Sequence, residues 1–185
     1  KINYDGLTYY ENSDFKNNNI LNSLFNAEDA INGNVIISYS DIFYHKEAIE
    51  ILKKDNNDFS IISINNWKKI WKLRFSYPLN DLESFKMDKK NYLKEIGKKI
   101  NKLDGIEGQY SGIFKIKPKI WKKIKKELSK MKTNEFHRLD MTRFFLILIR
   151  KKFKIKVLDL DKHWFEFDSQ KDLKVYEKYS RLNNI

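Results

Sequence analysis

Two short apolar segments that each end in a carboxylate constrain this chain most strongly. VIISYSD covers residues 35–41 and ends at Asp41, and WFEFD covers residues 164–168 and ends at Asp168. If each segment is a β-strand, then Asp41, Glu166 and Asp168 lie at strand ends. Carboxylates that converge at the edge of an α/β sheet offer hard oxygen ligands to a divalent cation. The two segments therefore predict a cation site at one edge of a sheet.

The spacing of residues in the second segment predicts which side chains share one face of the strand. Glu166 and Asp168 are two positions apart and point to the same side of a strand, together with Trp164. The other side carries Phe165 and Phe167, which we expect to pack in the core. Two acids on one face repel each other, so they favour an exposed edge or a bound cation. The alternative is an edge strand with acids in solvent, and Asp41 taken alone is more typical of a turn or a helix cap.

Strands and helices alternate along the first third of the chain. Residues 35–38 and 59–64 are short β-branched runs, and residues 46–54 between them have a helical pattern. Strand, helix and strand in this order predict a parallel crossover and an α/β fold. Further strands are predicted at 92–96, 109–116, 154–158 and 164–167, and a closing helix at 172–179.

Three residues mark the starts of further helices. Asn19 is placed to cap a short helix that begins at Ile20, and Asp140 is placed to cap a helix over 141–151. Pro118 suits the first turn of a helix that has an apolar stripe on one side and lysines on the other. The lysine-rich stretch 115–132 is therefore interpreted as the solvated face of an amphipathic helix rather than as a nucleic-acid surface.

The composition limits the class of protein. The chain has 185 residues, of which 41% are hydrophobic, so we expect a single globular domain over 1–185. No apolar run is long enough to span a membrane. The absence of cysteine excludes disulfides, thiol catalysis and zinc–thiolate sites. The first residue is Lys1 and no signal-peptide pattern follows, which indicates a processed or trimmed chain and is compatible with the cytoplasm.

The net charge of +12 has two interpretations. It attracts polyanions such as nucleic acid, anionic lipid or nucleotide phosphates. It is also what a lysine- and asparagine-rich composition gives without any such function, and we favour this second interpretation because the lysines are scattered.

The segment 67–83 combines aromatic, basic and acidic side chains. Its aromatic residues are spaced to surround a cationic head group, Arg74 is suited to a phosphate, and the two acids at its end are suited to an amine. The alternative is that the tryptophans anchor the core and that Arg74 makes a surface ion pair. The aromatic residues are Trp67, Trp71 and Tyr77, and the acids are Asp81 and Glu83.

These segments resemble the sugar-nucleotidyltransferase superfamily, in particular its small cytidylyltransferase branch, which activates phosphocholine or 2-aminoethylphosphonate. The resemblance follows the family's order and spans most of the chain. The matching segments are NNNILNSLFNA (17–27), NVIISYSDIFY (34–44), NWKKIWKLRFSYPLNDLE (66–83), YLKEIGKKI (92–100), EGQYSGIFKI (107–116), LDMTRFFLILI (139–149) and WFEFDSQKDL (164–173).

The resemblance implies a fold, a reaction and a site. The fold is a Rossmann-like, mixed and mainly parallel sheet flanked by helices. The reaction is attack of a small phosphorylated or phosphonate acceptor on the α-phosphorus of a nucleoside triphosphate, with CTP favoured and pyrophosphate released. Mg²⁺ is implied as cofactor with Asp41, Asp168 and Glu166 as ligands, and no catalytic base is assigned. The implied substrate contacts are Trp67, Arg74, Asp81, Glu83, Tyr110, Gly112 and Trp164.

One family element does not occur in the chain. The family opens with a strand and a glycine-rich loop, roughly LAAGxGxR, that wraps the triphosphate, and Lys1 to Tyr10 correspond to a later point. The chain is therefore expected to be the later two-thirds of the family fold, either a fragment or one piece of a larger protein, which alone binds nucleotide weakly; whether it catalyses alone stays open. A sugar-1-phosphate nucleotidyltransferase and a basic nucleic-acid-binding module stay open as alternatives, as does an oligomeric state.

Overall fold

The elements of the structure follow one another in an alternating α/β order. The computed structural model describes residues 6–183. The prediction that Lys1 follows a missing strand and loop lies outside these residues. The helices are α1 Ile20–Asn26, α2 Glu47–Lys54, α3 Trp67–Arg74, α4 Pro118–Leu128, α5 Thr133–His137, α6 Met141–Arg150 and α7 Gln170–Asn183. The strands are β1 Val35–Ser38, β2 Ile42–Tyr44, β3 Phe59–Ile64, β4 Glu83–Met87, β5 Leu93–Lys99, β6 Tyr110–Ile116, β7 Lys156–Leu160 and β8 Trp164–Glu166.

A four-stranded sheet with the order β1-β6-β3-β7 forms the centre of the molecule. β3 and β7 are parallel, whereas β6 is antiparallel to both of its neighbours, β1 and β3. It follows that β1, β3 and β7 all run in one direction and that β6 alone runs against them. The predicted mixed, mainly parallel sheet is confirmed in this sense.

The predicted crossover needs one correction. Strands β1 and β3 run in the same direction, as expected, but β6 lies between them, so they are not paired. Residues 35–37 are only half-buried and Ser38 is exposed, because β1 borders the sheet on one side among the described strands. Strand β3 lies inside the sheet, and every one of its residues is buried.

The remaining strands form two small antiparallel ribbons of two strands each. The sequence predicted only one strand of each ribbon. β2 pairs with β8, with Ile42 opposite Glu166, and β4 pairs with β5. Neither β2 nor β4 was predicted, since each is short and is stabilised by its partner. The ribbon of β2 and β8 decides where the predicted acids lie, because it places the two acidic segments side by side.

The predicted helix starts are confirmed. The side chain of Asn19 accepts a hydrogen bond from the Ile20 N–H at 2.8 Å, and that of Asp140 accepts one from the Arg143 N–H at 2.7 Å. Pro118 is the first residue of α4, whose apolar face buries Trp121, Ile124 and Leu128. Helix α5 was not predicted, and α7 is longer than the predicted 172–179.

The core lies on both sides of the central sheet and is rich in aromatic rings. Phe145 on α6 is fully buried, and its ring centroid lies 5.9 Å from Phe59 on β3 and 5.8 Å from Phe114 on β6. These contacts hold α6 against the sheet. The amino-terminal part of the same helix faces the cavity described below, so packing of the core also positions one of its walls.

Candidate active site

An acidic cavity of about 400 Å³ opens at one edge of the central sheet. This edge holds the carboxyl ends of β1 and β3 and the start of β6, which is where α/β sheets bind ligands. Its lining includes five carboxyl groups and, among the described residues that line it, no lysine or arginine. The lining residues are Tyr39, Trp71, Asp81, Glu83, Ser84, Phe85, Ile96, Gln109, Tyr110, Gly112, Asp140, Met141, Thr142, Glu166 and Asp168.

Most of the predicted site residues meet in this cavity. Those that line it come from three separate stretches of the chain, which the fold brings to one cavity. They are Asp81, Glu83, Tyr110, Gly112, Glu166 and Asp168. Four further predicted residues, namely Asp41, Trp67, Arg74 and Trp164, do not line it.

Arg74 lies behind the acidic cavity as the centre of an ion-pair cluster. Its side chain is 0% exposed, and it donates to Glu166 at 2.8 Å, to Asp168 at 2.5 Å and to Asp172 at 3.1 Å. The earlier alternatives were a phosphate contact or a surface ion pair. The observed arrangement is neither, because every polar edge of the buried guanidinium is directed at a carboxylate of this chain.

The cluster perturbs the carboxyl groups around it. Burial, together with the nearby charges of Asp168 and Asp41, raises the pKa of Glu166 although Arg74 opposes the shift. Burial would also raise the pKa of Asp172, but hydrogen bonds from Ser169 and Arg74 outweigh it and lower the pKa. One cation therefore faces several anions, and the cluster retains an excess of negative charge on the side of the cavity.

Asp41 lies next to this cluster without joining it. The Asp41 carbonyl accepts a hydrogen bond from the Phe167 N–H at 2.8 Å, which extends the pairing of β2 with β8 by one position. Asp41 therefore lies opposite Phe167, one position before Asp168, and both Asp41 and Asp168 are exposed. Asp41 and Asp168 therefore lie beside the ends of the short ribbon of β2 and β8, not at the ends of strands of the central sheet. The two acidic segments are nevertheless close together, as predicted.

The two buried tryptophans join the cluster to the sheet. Trp71 and Trp164 stack with ring centroids 5.8 Å apart and planes 5° from parallel. The Trp71 indole N–H donates to Asp81 at 2.8 Å, and the Trp164 indole N–H donates to the Ser111 carbonyl at 2.8 Å. Trp164 is 1% exposed, so the acid-bearing face of its strand is buried at this position against β6.

The predicted aromatic cage does not form. Trp67 is 3% exposed and packs in the core, so the interpretation as a core anchor describes it. Tyr77 is 75% exposed on the surface. Of the three aromatic residues in this segment, only Trp71 reaches the cavity.

Glu83 and its neighbours form the opposite wall. Burial first, and then the charges of Asp140 and Asp81, raise the pKa of the Glu83 carboxyl, while a hydrogen bond from Thr142 opposes the shift. Asp140 thus has two roles, since it caps α6 and also contributes charge to the cavity. Like charges held this close favour either a bound cation or protonation of one of them.

A bulge in β6 shapes the floor of the cavity. The pairing of β3 with β6 shifts register between Ile61 and Ser63, and Gly112 within the shift has a φ of +82°. A Cβ on Gly112 would lie 3.1 Å from the Tyr39 ring. The bulge therefore allows the Tyr39 ring to approach the backbone closely, and the Tyr39 N–H donates to the Gly112 carbonyl at 3.0 Å.

Sequence reasoning missed several residues of the site. Two of them, Ser169 and Asp172, had a recognisable signal, because they are spaced as a capping box. In the structure the Ser169 N–H donates to the Asp172 carboxylate at 2.9 Å. The roles of Tyr39 and Thr142 had no signal, because they depend on which strand and helix flank the cavity.

A magnesium ion fits this site only with help from a substrate. Within residues 6–183 no group of three or more His, Cys, Asp or Glu side chains is arranged to hold a metal. Mg²⁺ commonly takes one or two carboxylates and completes its octahedron with substrate phosphates and water. Asp41 and Asp168 are exposed and suit such a partial site, and Arg74 holds one oxygen of Asp168 as it holds one of Glu166.

No model of a protein family matches the chain, but similar proteins are known. A CTP:phosphoglutamine cytidylyltransferase of Campylobacter jejuni is 31% identical over 185 residues, which cover 93% of this chain and 72% of that protein. An inositol-1-phosphate CTP transferase from T. maritima has a TM-score of 0.65 at 18% identity and 90% coverage of this chain. A CTP:phosphocholine cytidylyltransferase from Streptococcus pneumoniae has a TM-score of 0.63 at 15% identity and 91% coverage.

The chain has the Rossmann-like fold of the two structural relatives, with an acidic cavity at the edge of its sheet. The two structural relatives share this fold, and the chain spans 63% and 66% of their lengths. The identity to the Campylobacter jejuni enzyme goes further than fold, and the chain belongs to the cytidylyltransferase family. The resemblance to the small cytidylyltransferase branch is thereby confirmed. Among the described residues no helix is both long and apolar enough to cross a membrane.

Proposed function

We infer that the whole protein transfers CMP from CTP to a small phosphorylated or phosphonate head group. An acceptor oxygen bonds to the α-phosphorus of CTP, the bond to the β-phosphate oxygen breaks, and pyrophosphate leaves with the electron pair. The observation that carries this proposal is the cavity of about 400 Å³ at the carboxyl ends of β1 and β3 in a chain of this family. An ionised phosphate nucleophile needs no strong base, so no general base is assigned.

Asp41 and Asp168 are proposed as the protein ligands of Mg²⁺, supported by their exposure and by the pairing of β2 with β8, which brings their two segments together. Bound there with CTP, the ion would neutralise phosphate charge. Arg74 holds one oxygen of Glu166 and one of Asp168, but the Glu166 side chain is less exposed, so Glu166 is proposed to contribute negative charge beside the two ligands. The cytoplasm is proposed as the location, because it holds the CTP that the reaction needs.

The lining of the cavity favours an acceptor with a positively charged head group. Five carboxyl groups surround a space that the aromatic residues Tyr39 and Trp71 also line. Carboxylates attract an ammonium group, and aromatic faces add cation–π attraction. Substrates of the phosphocholine type combine such a head with the phosphate that attacks CTP, and the amino group of a phosphorylated amino acid meets the same demand.

The test is release of pyrophosphate from CTP by the full-length protein with a panel of acceptors. Phosphocholine, phosphoethanolamine, phosphoglutamine and 2-aminoethylphosphonate form the cationic arm, and inositol 1-phosphate and glucose 1-phosphate form the neutral arm. We expect turnover with at least one member of the cationic arm. Turnover with the neutral arm alone would favour the sugar-1-phosphate alternative.

Two matched variants test the metal ligands. Asp168→Asn should abolish most of the turnover and raise the Mg²⁺ concentration required for half-maximal rate. Asp161→Asn removes one exposed acid from the same part of the chain, outside the lining of the cavity, and should leave both quantities unchanged. An unchanged magnesium dependence in Asp168→Asn would refute the assignment.

A further inference from the structure

A second cavity, of about 610 Å³, lies at the opposite edge of the central sheet and has the opposite charge. Asp58 in its wall directly precedes β3, and Lys154 lies just before β7. The acidic cavity lies beyond the other end of β3, and a strand of this length separates the two by about 20 Å. This second cavity therefore belongs to neither the nucleotide nor the acceptor part of the proposed active site.

Four lysines give this cavity its charge. One comes from α4 and three come from the residues that follow α6. One acid, Asp58, also lines the cavity. The lysines are Lys123, Lys151, Lys152 and Lys154. Lys151 pairs with Glu127 at 3.4 Å, and Asp58 is already paired with Lys117 at 2.9 Å. The other three lysines make no ion pair within 4.0 Å to any described residue.

A neighbouring lysine shows how a carboxylate and carbonyl groups of this chain can hold such a charge. Lys115 is buried under the same wall and donates to the Asp55 carboxylate at 2.9 Å and to the Leu52 carbonyl at 3.0 Å. Hydrogen bonds from Ser60, Lys115 and Asn57 outweigh the effect of burial and lower the pKa of Asp55 to about 2. Against this background, three unpaired like charges around one cavity leave a positive potential that an anion would neutralise.

The wall beside these lysines is held in place by hydrogen bonds. The Asn57 amide donates to Asp55 at 2.5 Å, and the Tyr92 hydroxyl donates to the Asn57 amide oxygen at 3.3 Å. The Nζ of Lys154 lies 5.9 Å from the centre of the Tyr92 ring. The ring thus helps to orient one lysine, and the fixed amide wall gives the cavity a defined shape.

Stabilisation of a helix end explains only part of the charge. Lys151 and Lys152 follow the last residue of α6, where cations interact favourably with the helix dipole. Lys123 lies in the middle of α4 and gains nothing from that effect. Lys152 also has a φ of +64°, where glycine is the usual residue, so its side chain is present at some cost in backbone strain.

The geometry points to a second binding site in this cavity, for a small anion that bears two or more phosphate charges. The volume suits a small molecule, and the unpaired lysines supply point charges for phosphate oxygens. Ile120 and Phe153 add apolar surface for a non-phosphate portion. The site is separate from the proposed catalysis, because the sheet lies between the two cavities.

The test is a titration of the full chain with inorganic pyrophosphate in the presence of a metal chelator, followed by NMR of the backbone amides. We expect shifts concentrated at Asn57, Tyr92 and Lys152. The double variant Lys123→Gln/Lys154→Gln should weaken the affinity about tenfold, which corresponds to about 1.4 kcal/mol. Its matched control, Lys122→Gln/Lys126→Gln, removes the same charge from the exposed side of α4 and should leave the affinity unchanged.

Three outcomes would overturn the proposal. Equal weakening in the two double variants would mean that the net charge alone attracts the anion. Shifts confined to the acidic cavity would mean that pyrophosphate binds only there. Tighter binding of a random oligonucleotide with the same dependence on Lys123 and Lys154 would assign the lysines to nucleic acid. Thermal melts of both variants check that folding is unchanged, as expected for exposed side chains.

Discussion

Arg74 and Glu166 are joined by an ion pair of 2.8 Å although 92 positions separate them in the chain. The pair connects helix α3 to the ribbon of β2 and β8, and the Trp164 indole of the ribbon also donates a hydrogen bond to β6. A buried arginine thus holds in place the strand that carries the acids of the cavity. Its role is to position these acids.

Replacing Arg74 should therefore destabilise the fold strongly. Arg74→Met leaves Glu166 and Asp172 without their buried cation, and loss of one partner from a buried ion pair costs about 3–5 kcal/mol. Urea unfolding measures the change. The control is Arg143→Met, whose exposed pair with Asp140 is worth less than about 1 kcal/mol. Equal losses in the two variants would contradict the role of Arg74.

The Asp55 carboxyl should make the free energy of unfolding depend on pH in the acid range. Its pKa of about 2 in the folded chain is below the ordinary 3.8, so the unfolded chain binds the extra proton. The contribution is therefore complete above pH 3.8 and is lost as the pH falls toward 2. The size of the shift corresponds to about 2 kcal/mol. Asp55→Asn should be less stable than the parent at pH 6, and the two unfolding curves should converge near pH 2.

Glu83 should make acceptor binding depend on pH. Because its pKa is raised, it takes up a proton at a higher pH than an ordinary glutamate, and the cavity then loses a negative charge. The KM for a cationic acceptor should rise as the pH falls through this raised pKa. Glu83→Gln should raise that KM about tenfold at neutral pH, or about 1.4 kcal/mol, and should flatten the pH profile.

The comparison for Glu83→Gln is Glu177→Gln, on the exposed surface of α7. It should leave the KM and its pH profile as they are in the parent protein. A KM that does not change with pH in the parent, for a cationic acceptor that is turned over, would show that Glu83 does not contact the head group.

Any side chain at position 112 should destabilise the fold. Its φ of +82° costs an L-residue about 1–2 kcal/mol, and a Cβ would press on the Tyr39 ring at 3.1 Å. Gly112→Ala should lower the free energy of unfolding by at least this amount and change the near-UV signal of the aromatic residues. Gly33→Ala has no atom within 4 Å of the new Cβ and should be neutral within about 0.5 kcal/mol.

Local patterns along the chain predicted many of the elements. The β-branched runs at 59–64 and 35–38 form strands, and Asn19 and Asp140 cap helices as their chemistry requires. Strand β4 was not predicted because it is short and its sequence shows no strand pattern without its partner β5. The acids at the ends of the two opening segments do approach each other, since β2 and β8 pair.

The candidate site was predictable as a set of acids but not as an arrangement. Asp81 and Glu83 were expected to hold an amine, and both line the cavity. Arg74 was expected to face a ligand, and it instead contacts three carboxylates of its own chain. Nothing near position 74 in the chain indicates this, because the partners are more than 90 positions away.

The sequence by itself determined the class of fold, the apolar faces and the acids available for a cation, because these depend on side-chain chemistry and on spacing within a few residues. Only the tertiary structure decided which acids remain exposed, which are held by a buried arginine, and which charges surround each cavity. The reason is physical: the free energy of a charge depends on its burial and on partners that are distant in the chain. Asp168 and Lys115 show this, since their roles follow from neighbours on other elements.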